Sequence, residues 1–210
     1  MDVIKTGTTT LGIVCKDGVV LAADKRVTLG GGMIIDSEIK IVKLNDRFAV
    51  TIAGVASDAE LLSRHIKAEL KLKELRSHNH VTAREAANLL AQFVYQNVRT
   101  PSTIPGITHF LFGGRDHTGV YLYDIFADGH ISHVQKYFSS GSGSVHAFAV
   151  LDADYKEDIT VNEGIKLAKK AIRSAMMRDN ASGNGYDIVT ITKDKMKDVE
   201  SVLFNPQIAQ

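Results

Sequence analysis

Thr8, Thr9 and Thr10 stand together at the head of an apolar run, and they are the first residues of the chain with chemistry to offer. A threonine hydroxyl attacks a carbonyl only when a nearby base takes its proton. The plainer reading is that a branched Cβ suits a pleated strand, and the residue types alone leave both open. Cys15 sits at an alternating strand position with nothing near it in sequence to lower its pKa, so it reads as a reduced, buried, inert thiol. The histidines, His65, His78, His80, His109, His117, His130, His133 and His146, show no HExxH spacing, and a lone cysteine cannot make a CxxC. No metal and no cofactor is expected. Gly141-Ser142-Gly143-Ser144, ahead of Val145 to Leu151, could cradle a phosphate at a helix N-terminus, but it lacks the lysine and the spacing of a P-loop.

These residues need elements to position them. From Lys5 to Arg26 the chain reads as a hairpin, with two apolar, β-branched runs flanking Asp17-Gly18. Phe48 to Ala53 is a further strand closed by Gly54. The period then changes. Ser57-Asp58-Ala59-Glu60 has the form of a capping box, followed at helical spacing by Leu61, Leu62, Ile66 and Leu70, which predicts a helix to about Ser77. Thr82-Ala83-Arg84-Glu85 repeats the device before a helix that Pro101 ends. Alternation returns from 107 to 137, as a meander of Ile107 to Phe112, Gly119 to Tyr123 and Ile131 to Val134. Thr160-Val161-Asn162-Glu163 is a third capping box, and Asp187 to Thr192 a late strand. Hairpins and grouped helices predict an α+β fold of two antiparallel sheets and two helical pairs.

A chain of 210 residues with 44% hydrophobic content has ample material for one core, so one domain is expected. A formal net charge of +1 gives no broad attraction to nucleic acid or to an acidic membrane. No run approaches the ~18 apolar residues of a spanning helix, and the first seven residues lack the apolar core of a signal peptide. One cysteine excludes an internal disulfide and fits a cytoplasmic protein.

Gly7-Thr8-Thr9-Thr10-Leu11-Gly12-Ile13, followed by Lys16-Asp17-Gly18-Val19-Val20-Leu21-Ala22-Ala23-Asp24, resembles the start of a proteasome β subunit, most of all an archaeal one. The likeness continues through Ala53-Gly54, Ser57-Asp58-Ala59, Gly113-Gly114, Gly141-Ser142-Gly143-Ser144, Leu151-Asp152-Ala153-Asp154-Tyr155 and Arg178-Asp179-Asn180-Ala181-Ser182-Gly183, in the family's order and at about its spacing. The resemblance implies the four-layer αββα sandwich of N-terminal nucleophile hydrolases, which agrees with the pattern reading. It implies that residues 1–7 are a short propeptide cut at Gly7-Thr8 by autocatalysis, and that 8–210 form the single domain.

By the same resemblance Thr8 is the nucleophile of a threonine endopeptidase and its freed α-amino group the base; with a reference pKa of ~7.7 to 8.0 such an amine works near neutrality. Lys40 supplies positive charge beside it, and Asp24 pairs with and positions Lys40. Ser142, Asp179 and Ser182 match the family's supporting residues, and the Gly54 backbone N–H matches the oxyanion donor. Val27, Ile52 and Ala56, with Thr28, Glu38 and Val42 nearby, match the pocket for the residue before the cut. Three small or apolar walls favour cleavage after hydrophobic residues, while Glu38 could admit some basic side chains. The implied partners are other β subunits in a seven-membered ring, α-subunit rings, a regulatory ATPase ring acting through them, and unfolded polypeptide. Two alternatives stay open: a non-catalytic structural β subunit that keeps its leader or depends on a second β subunit, and an HslV-type peptidase.

The assigned role of Asp24 sets the hairpin register. A two-residue loop of Asp17-Gly18 would place Asp24 opposite Leu11, on the wrong face for Thr8. A three-residue loop, Lys16-Asp17-Gly18 with a bulge at the glycine, places Asp24 opposite Thr10, on the face Thr8 shares. The bulged turn is therefore the expectation.

Overall fold

The computed structural model describes residues 7–29, 33–103 and 105–204. Of the expected propeptide only Gly7 falls among them, and residues 1–6 lie outside.

The opening hairpin forms, in a register neither option anticipated. Strands β1 (Thr10–Cys15) and β2 (Gly18–Asp24) pair from Cys15↔Gly18 to Thr10↔Ala23, leaving a two-residue turn of Lys16 and Asp17. The bulged loop is absent, Asp24 comes opposite Thr9 rather than Thr10, and its N–H donates to Thr9 O at 3.0 Å. Gly18 does not take a positive φ. It is needed for closeness instead: a Cβ there would stand 2.4 Å from the Ile191 carbonyl oxygen of the neighbouring strand. Asp17 also serves outside the turn, its Oδ1 accepting from the Val161 N–H at 2.7 Å, where a carboxylate complements a helix N-terminus.

Chain order continues with β3 (Arg26–Leu29), β4 (Met33–Ser37), β5 (Ile41–Lys43), β6 (Phe48–Gly54), α1 (Ala56–Ser77), α2 (Ala83–Arg99), β7 (Thr108–Arg115), β8 (Val120–Ile125), β9 (Ile131–His133), β10 (Tyr137–Ser140), α3 (Ser144–Asp154), α4 (Val161–Arg178), β11 (Gly185–Thr192) and β12 (Met196–Leu203). The strands make one antiparallel sheet ordered β10-β1-β2-β11-β12, a second ordered β5-β6-β7-β8-β9, and a two-stranded β3-β4 ribbon beside them.

Period-two alternation divides the inner strands of both sheets between two cores. Leu11, Ile13, Val20, Ala22 and Ile188 of the first sheet bury against α3 and α4 through Ala147, Leu151, Ala168 and Ile172. Their neighbours Val19, Leu21, Ala23, Val189 and Ile191 meet Ala49, Leu111 and Leu122 of the second sheet. The other face of that sheet, Phe48, Val50, Phe110 and Phe112, packs on Leu62, Ile66, Leu70, Leu90 and Val94 of α1 and α2. The result is the expected four layers, helices–sheet–sheet–helices.

Thr82 and Thr160 both close complete capping boxes. The box expected at Ser57 does not form. The helix begins at Ala56 with Val55 as N-cap and no side-chain cap bond, so Ser57 is already inside the first turn. Cys15 is buried, and burial raises its thiol pKa to about 12, with Asp17 and Glu163 adding to the shift.

Candidate active site

Thr8 lies just before β1 and is 5% exposed. Two neighbouring loops close on it. The β10–α3 loop passes so near that a Cβ at Gly141 would fall 2.1 Å from Thr8 O, and one at Gly143 would fall 2.0 Å from Thr9 Oγ1. Gly141 takes φ +92°, a conformation open to glycine at little cost. Between the two glycines, Ser142 Oγ accepts the Thr8 N–H at 3.2 Å and donates to Asp179 Oδ2 at 2.7 Å. The other loop follows α4. There Ser182 Oγ donates to Asp179 Oδ2 at 2.6 Å and lies 2.7 Å from Thr9 Oγ1. Ser142, Asp179 and Ser182 are thus brought together, on the backbone nitrogen of Thr8 and the hydroxyl of Thr9. Burial presses upward on the Asp179 pKa, but hydrogen bonds from Ser182, Ser142 and the Ala181 N–H, with His146 nearby, together hold its carboxyl below the usual range.

Asp24 ends β2 with no solvent exposure. Its Oδ1 accepts from Lys40 Nζ at 2.9 Å and the Thr9 N–H at 2.8 Å; its Oδ2 accepts from the Arg26 N–H at 3.0 Å and the Gly183 N–H at 2.9 Å. Asp24 meets Lys40 in a register other than the one expected: it comes across from Thr9, one step past the last β1–β2 pair, Thr10↔Ala23, and pairs on its other side with Tyr186 of β11. Lys40 is 8% exposed, and burial lowers its pKa even though the Asp24 charge and hydrogen bond oppose this.

Gly54 closes β6 at φ +109°, where an added Cβ would lie 2.2 Å from Ile107 O. It lines, with Thr8 and Lys40, a cavity of about 640 Å³ whose walls include Val27, Thr28, Glu38, Val42, Ile52 and Ala56. All six expected pocket residues therefore share one cavity with the candidate nucleophile. The rim adds charge that the sequence reading did not name, from Arg26, Glu60, Arg64 and Lys67. That reading also passed over Thr9, whose N–H and hydroxyl tie Asp24 to Ser182, and over Arg26, which donates to Asn184 Oδ1 at 3.1 Å and the Asn180 carbonyl at 2.9 Å. The Thr-Thr repeat and the Gly-Ser-Gly-Ser spacing carried the signal for Thr9 and the two loop glycines.

The Thr8 hydroxyl donates to the Gly7 carbonyl oxygen at 2.6 Å, and the Gly7 N–H donates to Thr28 Oγ1 at 3.2 Å. A nucleophile-type side chain thus touches the peptide bond that precedes it.

Four layers with a threonine at the head of an inner strand define the N-terminal nucleophile hydrolase architecture, and comparison with known proteins narrows the class. A sequence model of the family described as "Proteasome subunit" matches residues 4–191. A proteasome subunit beta of Archaeoglobus profundus is 43% identical over 193 residues, covering 92% of this chain and 88% of the relative. One from Ferroglobus placidus is 40% identical over 207 residues, covering 96% and 97%. One from Methanococcus maripaludis is 41% identical over 193 residues, covering 91% and 86%. The chain belongs to the proteasome subunit family, and its similarity is to archaeal β subunits.

Proposed function

We propose that this chain is a threonine endopeptidase subunit of a proteasome core particle, made with a leader that it removes itself. The observation that carries the reading is the 2.6 Å contact of the Thr8 hydroxyl with the Gly7 carbonyl, inside the cavity that also holds Lys40 and Gly54. In processing, Thr8 Oγ adds to the Gly7 carbonyl carbon and the Gly7–Thr8 C–N bond breaks. The hydroxyl proton ends on the released amine. Water then hydrolyses the resulting ester, freeing the leader as a carboxylate and restoring the hydroxyl.

In turnover the freed amine takes the Thr8 proton as the hydroxyl attacks a substrate carbonyl and returns it to the leaving amine, and water then hydrolyses the acyl–Thr8 ester to release the carboxylate product and restore the hydroxyl. Ser142, already within reach of the Thr8 nitrogen, holds that amine, with Asp179 and Ser182 behind it. Buried Lys40, oriented by Asp24, keeps positive charge near the amine and discourages its protonation. Gly54 supplies the N–H for the developing oxyanion, a contact of the kind worth ~3 kcal/mol in the transition state. Apolar walls at Val27, Val42, Ile52 and Ala56 favour a hydrophobic residue before the cut. Family membership supports assembly with like β subunits and α rings around a chamber fed with unfolded polypeptide by an ATPase ring. Among the described residues no helix is long and apolar enough to cross a membrane, and the reading places the particle in the cytoplasm.

Intact mass and N-terminal sequence of the assembled protein, with hydrolysis of a fluorogenic peptide ending in a hydrophobic residue, test the whole reading. A chain starting at Thr8, active and silenced by Thr8→Ala, is the expected result. A chain still carrying its leader after assembly, with no activity, would instead mark a structural or partner-dependent subunit.

A further inference from the structure

Gly7 is a glycine for a reason that the bond-breaking chemistry does not use. A Cβ at this buried position would fall 1.7 Å from Ala181 Cβ, 2.8 Å from Ala181 Cα and 3.1 Å from the Ala181 carbonyl oxygen. Neither side has room to retreat. Residue 7 is tied through its N–H to Thr28 Oγ1 at 3.2 Å, and the chain just after it through the Thr8 N–H to Ser142 and the Thr9 N–H to Asp24. Ala181 sits in a bend closed on both sides: its N–H donates to Asp179 Oδ1 at 3.1 Å, the Ser182 N–H to Asp179 O at 3.1 Å, and the Gly183 N–H to Asp24 Oδ2 at 2.9 Å.

We propose that Ala181 is the positioning residue that limits the self-cleaved bond to one preceded by glycine. Its methyl group occupies the space that a side chain on residue 7 would need, so only a residue without a Cβ fits where the carbonyl meets the Thr8 hydroxyl. The inference rests on the reading of Thr8 as the self-processing nucleophile. A side chain on residue 7 has to displace either the scissile carbonyl or the 179–183 bend that supports the site, and a displacement near 1 Å costs about a hundredfold in rate.

The test follows processing of the full chain by intact mass over time during assembly, for the wild type, Gly7→Ala, Ala181→Gly and the double variant. Gly7→Ala is expected to slow leader removal by about a hundredfold. Ala181→Gly in the same chain should return part of that loss, because it removes the 1.7 Å contact while the 2.8 Å contact to Cα stays. Gly7→Ala processed at the wild-type rate overturns the proposal, and so does a slow Gly7→Ala chain that Ala181→Gly does not accelerate. Unfolding midpoints are compared with the uncut Thr8→Ala chain. Should Gly7→Ala not fold, Ala181→Val in the natural background asks the same question by adding carbons against Gly7, and a wild-type processing rate there counts against it. A wild-type chain that stays uncut is recognised before any variant is compared; it rejects the processing reading and this inference with it.

Discussion

Lys40 Nζ and the Thr9 N–H converge on one oxygen of Asp24, at 2.9 Å and 2.8 Å, and the other oxygen receives the N–H groups of Arg26 and Gly183. A single buried carboxylate therefore joins the chain ahead of β1, the start of β3, the bend after α4 and the lysine of the cavity. Its worth lies in what its loss would strand: one ammonium and three backbone donors away from water.

Asp24→Ala is accordingly expected to cost ~3 to 5 kcal/mol of folding free energy, the scale for removing one partner of a buried ion pair. Peptidase activity and leader removal should both fall. Urea midpoints of the unassembled chain give the measurement. A midpoint equal to that of the wild type would mean that water reaches these donors and that the carboxylate holds nothing together.

Lys40 gives a pH dependence with a definite sign. Burial lowers its pKa below that of the unfolded chain, so the folded state binds the proton less tightly. The cost of holding the charge is full below the folded pKa and shrinks as pH rises through that value towards the unfolded ~10.4. Relative to Lys40→Met, the wild type should therefore gain stability on the alkaline side. Asp179 behaves oppositely. Its lowered pKa contributes stability above the unfolded ~3.9, which is lost as pH falls through the folded value, so the advantage over Asp179→Asn should narrow only in acid. Urea midpoints for each pair across pH read both trends, and a wild type that loses ground to Lys40→Met with rising pH contradicts the first.

Gly54→Ala tests the turn that closes β6. The substitution forces an alanine to φ +109° and its Cβ to 2.2 Å from Ile107 O, at a strain cost of ~1 to 3 kcal/mol. Alanine keeps the backbone N–H but cannot keep it in place against Ile107 O, so if that N–H stabilises the oxyanion kcat should fall by about a hundredfold with a smaller change in KM. A loss confined to KM would assign Gly54 to binding alone.

The layers were readable because Val19–Leu21–Ala23 and Val20–Ala22 alternate between two apolar surfaces, and because Thr82 and Thr160 carry the glutamate three residues on that completes a capping box. Ser57 and Glu60 have the same spacing and fail, since Val55 starts the helix earlier. β12 carries no readable pattern because Lys197, Asp198 and Val199 are exposed in succession on an edge, where no apolar alternation is required. The hairpin register is not legible from Asp17-Gly18, because Gly18 is demanded by the Ile191 carbonyl of a strand more than 170 residues later, a long-range contact that no local pattern encodes. The site residues were visible as motifs; their wiring through Thr9 was not, because a threonine hydroxyl at the head of a strand looks the same in sequence whether it packs or bonds.

The pocket makes the last prediction. Val27, Val42, Ile52 and Ala56 wall the cavity next to Thr8, while Glu38 is one of the few anions there. Cleavage after leucine or tyrosine should exceed cleavage after arginine, because a largely apolar side chain gains from leaving water whereas a guanidinium must give up its hydration. Glu38→Gln should lower kcat/KM for the arginine peptide and leave the leucine peptide unchanged, since only the former brings a charge to be met. Ala56→Val should do the reverse, narrowing the apolar wall and costing the large hydrophobic residues ~1 to 3 kcal/mol in kcat/KM relative to alanine. If Glu38→Gln reduces both peptides equally, Glu38 shapes the site without reading charge; if Ala56→Val leaves the ratio of tyrosine to alanine unmoved, this cavity is not where the residue before the cut resides.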